Sequence, residues 1–215
     1  MNIATQGLAL DLQTIRFPDL EMSEELVRRF DRSGPRYTSY PTADRFEEQY
    51  PVSSYLAHLA RRAAAAQVAP LSVYVHLPFC ESLCYFCACN KIITRDHGSA
   101  APYLKTLFAE MEMLSPHLGV HRQAVQLHLG GGTPTFLAAA ELTALMKELR
   151  RHFEFTPDAE IAVEIDPRTV SSDTLAMLAG LGFNRTSFGV QDFDPEVQAA
   201  VNRIQPYEMV RNALQ

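Results

Sequence analysis

Leu71-Ser72-Val73-Tyr74-Val75-His76-Leu77-Pro78-Phe79-Cys80-Glu81-Ser82-Leu83-Cys84-Tyr85-Phe86-Cys87-Ala88-Cys89 is an apolar run that opens into a loop carrying all four cysteines of the 215-residue chain. Residues 71–76 are rich in β-branched and aromatic side chains and predict a strand. A disulfide scaffold would spread its cysteines to close long loops and would suit an exported protein. Four thiols crowded between Cys80 and Cys89 point instead to metal. Thiolates spaced Cys80-x3-Cys84-x2-Cys87 can wrap one corner of a cubane, each taking one iron and leaving the fourth iron without a protein ligand. Tyr85 and Phe86 are expected to screen such a cluster from solvent. The alternative is a four-cysteine zinc site. Those sites normally use two C-x2-C knuckles a dozen or more residues apart, and no second knuckle is present.

Working outward from that loop, further strands are predicted over 124–129, 160–165 and 184–190, with helices over 101–114, 138–153, 172–180 and 194–202 and a last helical stretch near Pro206. This alternation means βα units on a parallel sheet, either open or closed into a barrel. Each unusual residue follows a strand: the cysteines the first, Gly130-Gly131-Gly132 the second, Glu164 and Asp166 the third, Gln191 and Asp192 the fourth. Loops at the carboxyl ends of parallel strands share one face, so these groups are expected to converge on one cavity. Upstream, Ser23 caps a helix over Glu24–Phe30, the stretch Gly34 to Thr42 reads as an irregular ordered loop, and residues 53–66 form an alanine-rich helix.

The net charge of −6 supplies no basic patch for nucleic acid or an anionic membrane. No apolar run reaches the roughly 18 residues of a spanning helix. The first residues lack a basic n-region and carry Asp11 within their apolar stretch, a poor signal peptide. The expected location is the cytoplasm.

The cysteine spacing at the end of a first strand, with an aromatic before the last ligand, resembles the radical S-adenosylmethionine (SAM) superfamily. Tyr74 to Cys80, Cys84 to Lys91, Gly130-Gly131-Gly132-Thr133-Pro134-Thr135, Glu164-Ile165-Asp166-Pro167-Arg168, Gly189-Val190-Gln191-Asp192-Phe193 and the loop Gly34 to Thr42 narrow the resemblance. They are similar to the family of oxygen-independent coproporphyrinogen III oxidases, over about residue 26 to the end. The resemblance implies an α/β fold, the N-terminal part of a (β/α)6 partial barrel over 71–215, preceded by a helical and irregular extension over 1–70. It implies a [4Fe–4S] cluster on Cys80, Cys84 and Cys87, with Cys89 not a ligand. It implies two SAM molecules contacted by Tyr74, Phe86, Gly131, Gly132, Thr133, Glu164, Gln191 and Arg203, of which Gln191 and Arg203 associate with the second. In the glycine run, backbone without side chains permits close approach, and exposed N–H groups favour a carboxylate.

The implied activity is oxidative decarboxylation of two propionates of coproporphyrinogen III to vinyl groups, giving protoporphyrinogen IX. The implied partners are that substrate and a low-potential donor such as a flavodoxin or ferredoxin, with no nucleic acid and no membrane, the protein acting as a monomer. Related radical SAM haem carriers are the nearest alternative; they generally lack the extension and a cysteine at the Cys89 position. A zinc-binding interaction module is the alternative outside enzymes. Arg36, Tyr37 and Tyr40 either meet propionates or pin the extension to the barrel. The family's barrel has six strands and a further domain, so this chain, with four clear strands, is expected to be inactive alone and marginally stable. His76 and His128 are expected to be satisfied structural groups, and His97, His117, His121 and His152 receive no role.

Overall fold

The computed structural model describes residues 23–31 and 42–214; Arg36, Tyr37 and Tyr40, with most of their loop, lie outside the described residues. The chain divides into two compact units, Met1–Tyr50 and Pro51–Gln215. In the first, α1 (Glu24–Phe30) starts at Ser23, whose hydroxyl accepts from the Leu26 amide at 3.2 Å. That bond satisfies one of the amides a helix start leaves free.

The second unit runs α2 (Val52–Ala64), β1 (Leu71–Leu77), β2 (Phe79–Cys80), β3 (Ile92–Ile93), α3 (Ala100–Leu114), β4 (Gln123–Gly131), α4 (Ala139–His152), β5 (Glu154–Ile165), α5 (Ser172–Gly180), β6 (Arg185–Phe188), α6 (Pro195–Ala200) and α7 (Tyr207–Leu214). The main sheet has the order β1-β4-β5-β6, every pair parallel. Two strands differ from the sequence reading. β5 begins at Glu154, ahead of the expected 160, and its register shifts: Ala124 pairs with Phe155 while Gln126 pairs with Glu160. Pro157 lies in the displaced stretch, where the missing N–H costs no ladder bond. β6 is shorter than 184–190 because the Val190 amide turns back to the Phe188 carbonyl at 3.0 Å, which ends the ladder.

The two faces of the sheet carry opposite chemistry. Val75 and Leu77, Leu127 and Leu129, and Ile161, Val163 and Ile165 join one core with Leu104 and Met111 of α3, Leu142, Leu145, Met146 and Leu149 of α4, and Leu178 of α5. The alternate residues are polar and form a ladder across the strands. Ser72 donates to Gln126 at 2.7 Å, Gln126 to Glu160 at 3.0 Å, and Arg185 to Glu160 at 2.6 Å. A parallel sheet with helices packed on one face and polar groups on the other is the wall of a partial barrel rather than a doubly wound sheet. Leu145 is fully buried at the centre of the helix-side core. Leu145→Ala is expected to lower the unfolding free energy by about 3 kcal/mol, read as a lower urea midpoint at unchanged m-value.

Candidate functional site

The cysteine loop is held at its base by a feature with no signal in the sequence, the short parallel pair β2–β3. Ile92 donates to the Pro78 carbonyl at 2.8 Å and Thr94 to the Cys80 carbonyl at 2.9 Å. Within the loop the Cys87 amide returns to the Cys84 carbonyl at 3.0 Å, and Lys91 Nζ donates to the Cys87 carbonyl at 2.9 Å. The far side is latched to the end of α6. Tyr85 donates its amide to the Val201 carbonyl at 3.0 Å, and Asn202 Nδ2 donates to the Leu83 carbonyl at 2.7 Å. Asn202 has φ 53°, a left-handed conformation that asparagine tolerates better than most residues.

All four cysteines are free thiols: Cys84 is buried, Cys80 and Cys87 are half-buried, and Cys89 is exposed. Among the described residues, the trio of donor groups whose atoms all lie within 4.8 Å of one another is Glu112, Glu148 and His152, on α3 and α4. Burial pushes the Cys80 thiol up, the Thr133 hydroxyl lowers it in part, and negative charge on Cys87, Cys84 and Asp166 raises it further. Three thiols with this spacing and no disulfide among them are a donor set that fits an iron–sulfur cluster. The aromatic screen is not formed as expected. Tyr85 is 68% and Phe86 46% exposed. Cys84 is instead covered by two guanidiniums: Arg168 Nη2 and Arg203 Nη1 donate to its sulfur at 3.6 and 3.5 Å.

The glycine run also differs from expectation, because its N–H groups are not free. Gly132 donates to the Leu77 carbonyl and Thr133 to the Phe79 carbonyl, each at 2.8 Å, while Gly131 donates to Glu164 Oε2 at 3.3 Å. Two of the glycines lie close against the chain's own groups. A Cβ on Gly132 would fall 2.6 Å from the Phe79 carbonyl oxygen, and Gly131 adopts φ +111° with the His76 ring 2.6 Å from where its Cβ would stand. The glycines therefore bind the start of the cysteine loop to β4. Thr133 completes that contact, its hydroxyl lying 3.6 Å from Cys80 Sγ.

Glu164, at the end of β5, also meets His128 Nε2 at 3.1 Å, and Tyr74 stacks on His128 with centroids 5.8 Å apart. The Tyr74 hydroxyl lies 3.1 Å from His76 Nδ1, and His76 Nε2 lies 2.8 Å from the Asn90 carbonyl oxygen. Burial and then the Glu164 carboxylate raise the Tyr74 pKa, keeping the phenol neutral. Both histidines are thus hydrogen-bonded. Tyr74, Gly131 and Glu164 are thus linked through His76 and His128, and Thr133 lies beside Cys80. Gln191 and Arg203 border Gly189, a Cβ on which would lie 3.5 Å from Gln191 Nε2 and 2.9 Å from Arg203 Nη2.

The sequence reading gave no role to Arg168, although the Asp-Pro-Arg motif carries it. Its Nη2 donates to Asp166 Oδ2 at 2.7 Å and its Nε to Oδ1 at 3.0 Å, while Arg203 Nη1 lies 3.2 Å from the same Oδ2. Burial alone would raise the Asp166 pKa, but the Arg168 hydrogen bonds and the Arg203 charge outweigh it and hold the carboxyl below its ordinary range. A depressed carboxyl stabilises the fold above its unfolded pKa, and that contribution is lost as pH falls through the folded value. Asp166→Asn is expected to cost the metal-free chain about 2 kcal/mol at pH 7. The gap between wild type and variant should close as pH drops below about 3.9, measured by urea unfolding at stepped pH.

A sequence model of the radical SAM superfamily matches residues 74–215. The oxygen-independent coproporphyrinogen III oxidase of Pseudomonas aeruginosa is 49% identical over 206 residues, covering 95% of this chain and 43% of the relative. The enzyme of that name from Escherichia coli is 50% identical over 185 residues, covering 86% of this chain and 39% of the relative. A solved structure described as coproporphyrinogen III oxidase from Escherichia coli, a radical SAM enzyme, superposes with TM-score 0.75 at 49% identity, covering 81% of this chain and 39% of that one. The chain therefore spans less than half the length of the curated relatives it matches.

Proposed function

The chain belongs to the radical SAM superfamily, and from that membership we propose that it supplies the cluster- and SAM-binding part of an oxygen-independent coproporphyrinogen III oxidase. The reaction is oxidative decarboxylation of two propionates of coproporphyrinogen III to vinyl groups, yielding protoporphyrinogen IX. Cys80, Cys84 and Cys87 hold the [4Fe–4S] cluster. Tyr74, Phe86, Gly131, Gly132, Thr133 and Glu164 face a first SAM, and Gln191 and Arg203 a second. When bound, the cluster and SAM supply a carbon radical able to take hydrogen from an unactivated C–H bond.

The chain's own residues bind, orient and shield. Glu164 offers a carboxylate to a cationic amine, with His128 fixing one of its oxygens. The close seat of Gly132 on the Pro78–Phe79 backbone sets the glycine turn at a fixed distance from Cys80. Tyr74 stays a neutral phenol and presents a ring rather than a charge. Electrons come from a low-potential donor of the flavodoxin or ferredoxin class, and the protein acts as a cytoplasmic monomer. Among the described residues no helix is long and apolar enough to cross a membrane.

One observation carries this reading: three unpaired thiols share the carboxyl ends of neighbouring parallel strands with a close-packed glycine turn and Glu164. Anaerobic reconstitution is expected to give about four irons and four sulfides per chain. Dithionite is then expected to drive release of methionine and 5′-deoxyadenosine from SAM. Stoichiometric zinc without sulfide would overturn the cluster. Haem binding by a form that also carries the family's remaining strands and domain, with coproporphyrinogen III left untouched, would overturn the substrate.

A further inference from the structure

The three sulfurs assigned to the cluster do not have equal surroundings. Cys80 meets a neutral hydroxyl, that of Thr133. At Cys87 the nearby Lys91 ammonium is engaged by the backbone carbonyl at 2.9 Å. Cys84 alone among them is met by two cations, Arg168 and Arg203. Both side chains are largely buried, 21% and 11% exposed, against an Asp166 side chain that is 6% exposed. Arg203 is fixed from further sides: its Nε donates to Gln205 Oε1 at 2.9 Å and its Nη2 to the Gly189 carbonyl at 2.7 Å. Two guanidiniums against one carboxylate leave a net positive charge facing one sulfur, in a site that water barely reaches.

We infer that Arg168 and Arg203 form a clamp on the Cys84 sulfur that raises the reduction potential of the cluster, with the Asp166 carboxylate offsetting part of their charge. The inference rests on the cluster assignment above and adds a function to residues placed elsewhere or nowhere. A centre gaining one electron becomes more negative, and a fixed cation with N–H donors at a ligand sulfur favours that state. Burial strengthens the effect, since little solvent screens it. The clamp also joins three distant segments, the cysteine loop, the end of β5 and the residues after α6. A shift of Arg203 toward any anionic group near Gly189 would therefore be felt at the metal.

The test is a dithionite titration of the anaerobically reconstituted chain, with the reduced cluster counted by electron paramagnetic resonance and iron and sulfide measured in each sample. In Arg168→Gln or Arg203→Gln the ratio of reduced to oxidised cluster at a fixed poise should fall about tenfold, which for one electron is 59 mV. Arg168→Lys should recover most of the loss. Asp166→Asn, which keeps both cations and removes the opposing charge, should move the ratio the other way. A structural role alone predicts no such change of sign. Variants that carry full iron and sulfide with the wild-type ratio would overturn the clamp. If the glutamine variants take up no cluster, Asp166→Asn decides: a ratio that falls or stays fixed overturns it. A wild-type chain that binds no iron and sulfide would overturn the site itself and the clamp with it.

Discussion

Cys84→Ser is expected to leave the reconstituted chain with at least tenfold less iron and sulfide than wild type, and with no SAM cleavage. Loss of a supporting partner to a metal ligand typically costs about 10- to 100-fold in affinity or activity, and loss of the ligand costs no less. Cys84 is the most buried of the four cysteines, at 7% exposed, so water cannot readily reach in to replace its sulfur. A serine there would set a neutral hydroxyl against two guanidiniums that now donate to sulfur. Cys80→Ser and Cys87→Ser should behave alike. Cys89→Ser is the control: its thiol is exposed and it is expected to keep the full complement of iron and sulfide. Parallel colorimetric iron and sulfide determinations across the four variants check the whole set, and equal loss in Cys89→Ser would mean four ligands rather than three.

Gly132→Ala is expected to be the most damaging single added methyl. The new Cβ would stand 2.6 Å from the Phe79 carbonyl oxygen, 2.7 Å from the Pro78 carbonyl carbon and 2.8 Å from its oxygen. These are backbone atoms, not the ends of flexible side chains, so relief requires moving β4 away from the cysteine loop. That movement breaks the bonds from Gly132 to Leu77 and from Thr133 to Phe79. Overpacking and two strained hydrogen bonds together suggest about 3–4 kcal/mol, with the Thr133 hydroxyl carried away from Cys80. Gly180→Ala is the contrast. Nothing lies within 4 Å of its added Cβ, and at the end of α5 alanine should stabilise by about 0.5 kcal/mol. Urea titrations of both variants test the pair, and a harmless Gly132→Ala would show that the loop and β4 are not locked together.

The pattern of strands and helices was legible in the sequence because it rests on local periodicity and composition. So was the convergence of cysteines, glycines and Glu164, which follows from their places after successive strands. What the sequence hid were pairings between distant residues. Arg203 lies 119 residues from Cys84, and no local pattern says that its guanidinium meets that sulfur. The β2–β3 pair is too short to have a period. The start of β5 at Glu154 was equally hidden, because the strand passes through Pro157 where the register is displaced. The glycines read as a cradle of free amides, whereas two of the three donors from Gly131 to Thr133 serve the backbone of the neighbouring loop. Tyr85 and Phe86 read as a hydrophobic cover because aromatics usually bury, but both are left exposed.

The latch between the cysteine loop and the end of α6 sets a timetable for biogenesis. A ribosome releases the cysteines long before it releases Val201 and Asn202, which hold Leu83 and Tyr85 in place. Until then the nascent loop has its ligands but not its shape, and closing so long an intervening stretch carries an entropic cost. The cysteine loop therefore takes its final shape only after about two hundred residues have been made.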